Sequence, residues 1–360
     1  MTLEQLVEKY GADASRIALA DAGDGVADAN FEEDVADKSI LKLYTLRDWC
    51  EEQVRNEANL RIGPADLFCD LIFADEMNLV VHECRIHYQA TNYKLALKAA
   101  FYTLTAARDW YREATSATGI TMHRDLVFQY IELQALLLCV IAPHWSEYIW
   151  LEVLKKPSTI QNARFPSTPP PDPSLSAARD YVRTTTSAIT SAVAAQSKRI
   201  SKGKNTSFDP KKPKKVTIYV ASKFPAWQEK YVKLLSSLWD EQTKTVDEDE
   251  LMSNLKQQAG KDMKKVIAFV QTLKKRLTNE ESASMVLQRK LAFDEMKTLT
   301  EAAAGIKRAA HLQELDIVLV GDGGEATVVV GAARTVSSLP PQASSAVPGS
   351  PTFEIENVEA

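Results

Sequence analysis

The chain has 360 residues, of which 45% are hydrophobic and 25% charged, with a net charge of −5, ordinary values for a folded protein of two or three domains. No window approaches the ~18 consecutive apolar residues of a membrane helix. The acidic start MTLEQLVEKYGADASR has neither the layout of a signal peptide nor the Arg-rich character of a transit peptide, so a cytoplasmic location without membrane contact is expected.

The first 20 residues read as one helix or two abutting ones. Thr2 can cap it, with Gln5 completing a capping box, and Gly11 interrupts an apolar stripe of Leu3, Leu6, Val7 and Tyr10. Residues 21–31 are a Gly/Asp-rich loop. Amphipathic helices follow over 34–58, 65–89, 91–115 and 122–141, and Pro143 restarts a shorter one to Leu154. Their length and short breaks predict an antiparallel bundle. Proline-dense FPSTPPPDPS (Phe165 to Ser174) predicts an extended, semi-rigid spacer. A polar helix over 175–199 comes next, then a basic loop to Lys215. VTIYVA (216–221) reads as a strand, followed by helices near 225–239, 248–258, 262–277 and 284–308. LDIVLV (315–320) and ATVVVG (326–331) read as a strand pair around the turn GDGG. The end looks largely disordered, with FEIENV (353–358) as a candidate terminal strand. The fold class expected is mainly α: an antiparallel helix bundle followed by a small α/β domain.

Charge is spread unevenly. Residues 1–175 carry 16 Lys/Arg against 26 Asp/Glu, and residues 176–320 carry 26 against 17. A basic section after an acidic one predicts a polyanionic partner. The basic loop concentrates this charge: Lys198, Arg199, Lys202, Lys204, Lys211, Lys212, Lys214 and Lys215 face one acid, Asp209, over 18 residues. Lysines in a loop neutralise phosphates and release counterions. A solvated linker and a nuclear-localisation patch fit the same composition. Helix 263–277 adds Lys264, Lys265, Lys274, Lys275 and Arg276 on the face opposite a core of Val266, Phe269, Val270 and Leu273.

No nucleotide or metal motif competes with this reading. GDGGEA lacks G-x-G-x-x-G and no Gly-Lys-Ser/Thr follows it. Cys50, Cys69, Cys84 and Cys139 form no CxxC pair and read as free thiols. His144 and Glu147 at i,i+3 permit a catalytic or metal pair, but a proline-started helix with a partly buried polar pair fits better. Asp13 and Arg16, three residues apart, permit a helical ion pair worth ~0.2–0.5 kcal/mol.

Two segments carry a family resemblance. YGADASRIALADAGDGVADANF (Tyr10 to Phe31) resembles the stretch that follows the K-M-S-K-S loop of class I aminoacyl-tRNA synthetases, and its ALADAGD and ANF look specifically like the cytosolic and archaeal leucyl type. IAPHWSEYIW (Ile141 to Trp150) is similar to the A-P-H-x-x-E near the end of that subgroup's anticodon-binding bundle, and RFP (Arg164 to Pro166) fits the same layout. The resemblance implies stem-contact helices over 1–33, an anticodon-binding-type bundle over 34–156, a linker over 157–175, a C-terminal tRNA-contact domain over 176–335 and a tail over 336–360. Asp13, Arg16, His144 and Glu147 are expected to pack and orient, and the basic loop to touch leucine tRNA.

In the whole enzyme the resemblance implies ATP and magnesium, bound through H-I-G-H and K-M-S-K-S. Neither motif occurs here, so no catalytic, cofactor or metal residue is expected in this chain, which reads as starting at an internal methionine of a longer protein. A catalytic portion or other synthetases are expected partners. A protein-interaction scaffold, or an incomplete gene product without independent activity, is the alternative.

Overall fold

The computed structural model describes residues 2–25, 30–201, 208–209, 212–224, 226–240, 243–260, 263–278, 283–288, 290–321, 326–331, 339–340 and 342–358. The chain divides into two compact units, Met1–Ser176 and Ala177–Ala360.

The first unit is all helical. α1 (Leu3–Tyr10) and α2 (Ala12–Ala22) meet at Gly11, so the two-helix alternative is the one realised. Gly11 has φ +77°, a conformation that favours a residue without Cβ. Both halves of the Thr2–Gln5 capping box form. α3 (Glu33–Arg55) and α4 (Phe68–Gln89) follow. α5 (Tyr93–Leu97) passes through a π-turn at Lys98–Thr103 into α6 (Leu104–Ala117). α7 (Arg124–Leu138) leads to α8 (Pro143–Tyr148), which runs on into a second π-turn at Ile149–Val153.

A π-turn lets a backbone carbonyl out of the regular ladder. The buried Gln134 amide donates to the Ala100 carbonyl at 2.6 Å and its oxygen accepts from Tyr130 at 3.0 Å. Phe73, Tyr111, Tyr130, Leu104 and Ile149 form the centre of the core, each 0–1% exposed.

One polar cluster lies inside this core. Asp70, fully buried, receives Arg61 Nη2 on both oxygens and the Tyr111 hydroxyl at 2.6 Å. Tyr111 accepts in turn from His123 N at 2.8 Å. A buried carboxylate is tolerable when its lone pairs are satisfied in this way.

The proline-dense segment is extended but fastened to α4. Arg85 Nη2 donates to Pro166 O at 2.8 Å and its guanidinium lies 5.1 Å over Phe165. His82 Nε2 is 3.2 Å from Pro169 O. Asp75 accepts from Asp172 N at 2.6 Å and from Ser176 Oγ at 3.1 Å. Composition predicts a spacer; the partners on α4 are invisible to it.

The second unit follows the linker with α9 (Pro173–Ser201) and then β1 (Lys214–Ala221). α10 (Ala226–Leu238), the two-residue strands β2 (Trp239–Asp240) and β3 (Thr245–Val246), α11 (Glu248–Ala259), α12 (Met263–Thr278) and α13 (Ala283–Gln288) come next. These helices share a core of their own around Leu235, Leu255, Val266, Val270 and Leu277. α14 (Glu295–Ala309) then returns the chain to β4 (Glu314–Val320), β5 (Ala326–Val330) and β6 (Thr352–Asn357).

The sheet order is β5-β4-β1-β6. β4 is parallel to β1 and antiparallel to β5, so the expected strand pair forms; of its turn, residues 322–325 lie outside the described ones. β1 is central, and Val216 to Ala221 are all buried, as a strand covered on both faces requires.

Two expectations over this unit are corrected, and one short ladder is not foreseen. The helix expected over 284–308 is two, because Asp294 caps α14 by accepting from Lys297 N at 2.9 Å. The β2–β3 ladder is too short to leave a period-2 signal. The tail expected to be largely disordered over 336–360 carries structure over the described residues 342–358, and the candidate strand FEIENV is realised there as β6, which pairs antiparallel along β1 from Lys214 to Tyr219. Its approach is fixed by Glu295, which accepts from Gly349 N at 2.9 Å and from the Tyr181 hydroxyl at 2.6 Å. Gly349 has φ +79°, and a Cβ there would lie 2.8 Å from Leu291 Cδ2. No helix among the described residues is long and apolar enough to cross a membrane.

Candidate nucleic-acid interface

The two motifs at opposite ends of the first unit's sequence meet in space. Arg16 donates from Nε to Ile141 O and from Nη2 to Val140 O, both at 2.8 Å. The Asp13 carboxylate accepts from His144 N at 3.3 Å, His144 Nδ1 at 3.0 Å and Trp145 N at 2.7 Å. Arg16 thus takes the last free carbonyls after α7, and Asp13 takes the first free amides of α8. The i,i+3 spacing suggests that Asp13 and Arg16 pair with each other; both reach across to the corner before α8 instead.

His144 and Glu147 do not converge on a common point. His144 bonds to Asp13, whereas Glu147 Oε2 accepts from Ile160 N at 2.9 Å and caps the turn at Ile160–Asn162. The indole of Trp145 donates to Leu43 O at 2.9 Å and completes the joint with α3. Among the described residues no group of three or more His, Cys, Asp and Glu gathers. The four thiols are free, and burial pushes that of Cys50 up to about 12, which keeps it a neutral core group.

The basic segment is described in part. Lys198 is exposed near the end of α9. Arg199 continues the same helix, while Lys202, Lys204 and Lys211 lie outside the described residues. Lys212 is exposed just before β1. Lys214 and Lys215 open β1.

Lys215 differs from the others. Its ammonium is 2.7 Å from Asp316 and 3.6 Å from Glu314 on the neighbouring strand, and its side chain is 13% exposed. Its charge is compensated within the sheet, which leaves little of it for a phosphate. The sequence hides this, because Asp316 sits a hundred residues away.

The anchor of this segment is a residue that sequence reasoning missed. Asn357, at the end of β6, donates from Nδ2 to Asp209 O at 2.8 Å and accepts from Asp209 N at 2.7 Å. Val358 N donates to Pro213 O at 3.0 Å. The end of β6 therefore holds both Asp209 and the start of β1 in place. Only a fold that lays β6 along β1 reveals this role.

α12 presents further cations in the same unit. Lys264, Lys265, Lys275 and Arg276 are exposed, and Lys274 pairs with Glu248. Lys265 Nζ lies 4.6 Å over the Trp227 ring. Val266, Val270 and Leu273 are buried as expected, but Phe269 is only half-buried and meets Trp227 edge-on at 5.4 Å.

The first unit is helical and closed by a pinned A-P-H corner, and the second is an α/β unit with cations on its surface. Residues 70–209 match the family described as anticodon-binding domain of tRNA ligase. Residues 220–291, which run from the end of β1 through α13, match the family described as leucine–tRNA ligase, RagD-binding domain.

The cytoplasmic leucine–tRNA ligase of Neurospora crassa is 51% identical over 99% of this chain and 32% of its own length. The putative cytoplasmic leucine–tRNA ligase of Schizosaccharomyces pombe is 44% identical over 100% of this chain and 33% of its own. That of Saccharomyces cerevisiae is 40% identical over 99% and 32%. The chain belongs to the leucine–tRNA ligase family. It spans about a third of the length of these relatives.

Proposed function

We propose that this chain is the tRNA-docking part of a cytoplasmic leucine–tRNA ligase and that it positions leucine tRNA for ATP-dependent leucylation. The observation that carries the reading is the match of residues 70–209 to an anticodon-binding domain, within a chain related along nearly its whole length to leucine–tRNA ligases. ATP and magnesium serve the ligation chemistry, for which this sequence offers neither H-I-G-H nor K-M-S-K-S. The role of these residues is binding and orientation, with a catalytic portion as the partner that uses the bound tRNA.

Recognition here is electrostatic and shape-based. Lys198, Lys212 and Lys214, with the neighbouring Arg199, Lys202, Lys204 and Lys211, supply cations that phosphates attract without base readout. A-form RNA presents its backbone and shallow groove to such a surface. Replacing Lys198, Lys202, Lys204, Lys211, Lys212 and Lys214 together by Ala is expected to weaken leucine tRNA binding by at least about tenfold, with a shallower salt dependence. Unchanged affinity and salt slope would remove this segment from the interface.

A second reading is favoured by the match of residues 220–291 to a RagD-binding domain. The α10–α13 group, with its separate core, is then a protein-docking surface. The same lysine replacement discriminates: protein binding through α10–α13 persists while tRNA binding falls.

A further inference from the structure

A cleft of about 390 Å³ opens on the first unit, between α3 on one side and the π-turn with α6 on the other. Its size suits one small ligand, at the lower end of the ~300–1,000 Å³ typical of such sites. Neither family description nor any motif in the sequence assigns it a role.

Three cations line it, Lys42, Arg108 and Arg112, with a single lining carboxylate, Asp109. Asp109 is shared, lying 2.7 Å from Arg108 and 3.6 Å from Arg112; outside the lining, Glu113 is 3.7 Å from Arg112. The lining residues therefore hold an excess of two positive charges, close to the ~1.5–2 negative charges of a phosphate monoester.

The cations are set on aromatic rings. Arg108, only 8% exposed, has its guanidinium 4.6 Å over Trp49, which makes it a fixed wall of the cleft. Lys42 is exposed, and its ammonium lies 4.4 Å over the half-buried Tyr102 ring. Tyr102 owes its place to the π-turn, a distortion of the helical ladder that recurs at functional sites. A ring platform beside a cationic rim is the arrangement that holds an unstacked base and its phosphate.

We propose that this cleft binds a single nucleoside phosphate. The base stacks on Tyr102, displacing the Lys42 ammonium from the ring, and the phosphate lies between Lys42 and Arg112. Arg108, locked by Asp109 and Trp49, supplies positive potential from below without moving. The ligand is either a free nucleotide or one nucleotide of a bound RNA. The second source rests on the tRNA-docking reading above.

The test is calorimetric titration of the full chain with AMP, adenosine and inorganic phosphate. The wild-type chain is expected to take up one AMP, with adenosine and phosphate each weaker by about tenfold or more. The double variant Lys42→Ala/Arg112→Ala, both exposed positions, is expected to lose about tenfold in AMP affinity with an unchanged circular dichroism spectrum. Absence of AMP binding, equal affinity in the double variant, or phosphate alone matching AMP would each overturn the proposal.

A competition arm separates the sources. Displacement of AMP by leucine tRNA assigns the cleft to an RNA nucleotide. Retention of AMP in the presence of tRNA assigns it to a free nucleotide. AMP binding without any tRNA binding would sink the docking reading while sustaining the cleft.

Discussion

Asp13 is an exposed-looking acid in a helical sequence, yet its carboxylate accepts three hydrogen bonds from a corner more than a hundred residues away. It acts as the N-cap that α8 lacks in its own sequence, since Ala142 has no side chain to accept a bond. Asp13→Ala is expected to destabilise the chain by about 1–2 kcal/mol, seen as a lower thermal midpoint; an unchanged midpoint would show that Pro143 alone sets the helix start.

Glu295 gives a pH-dependent case. Burial holds its carboxyl above the ordinary value, while the hydrogen bonds from Tyr181 and Gly349 pull it down. A raised folded-state value means that the associated stability is present at low pH and is lost as pH rises through it. Tyr181→Phe removes a lowering bond and raises the value further. The variant is expected to be less stable by about 1–3 kcal/mol at neutral pH, with the difference shrinking as the carboxyl protonates on acidification. A gap that is constant or widens towards acid in urea titrations would contradict this assignment.

At the scale of elements, helices with an apolar stripe were legible and irregular features were not. α3, α4, α7 and α12 follow spacing that repeats every three or four residues, and β1 and β4 follow β-branched runs. The π-turns at Lys98 and Ile149 were not legible, because their carbonyl partners, such as Gln134 for Ala100, come from other helices. Of the site, the corner motif is legible as a motif, but the spacing of Asp13 and Arg16 permits a pair within one helix, whereas the bonds they form reach the corner before α8. β6 was visible as FEIENV, while its neighbours PPQASSAVPGSP argued for disorder; the edge of β1 and the Glu295 anchor decide the matter.

β6 also bears on the candidate interface, because Asn357 fixes the start of β1 and Asp209. Glu354→Pro removes a ladder donor opposite Thr217. Amides of Thr217 and Tyr219, which face β6, are expected to exchange faster in this variant, while those of α4 keep their protection. Equal protection of β1 would mean that β6 contributes nothing to the sheet.

At the scale of the whole chain, charge and architecture agree on a division of labour. The acidic first unit holds a pinned helical frame, and the basic second unit carries the lysines proposed to meet a polyanion. This division was legible from the sequence by counting charges. That Lys215 serves the sheet, paired with Asp316, was not, since the pairing depends on the parallel register of β1 and β4.

The most direct test of the docking account is a titration of the purified chain with leucine tRNA and with a non-cognate tRNA of short variable arm, each at two salt concentrations. The account predicts binding that favours leucine tRNA and weakens steeply with salt, as release of counterions from several phosphates requires. Equal, weak binding of both tRNAs would contradict it and leave protein docking through α10–α13 as the function of this region.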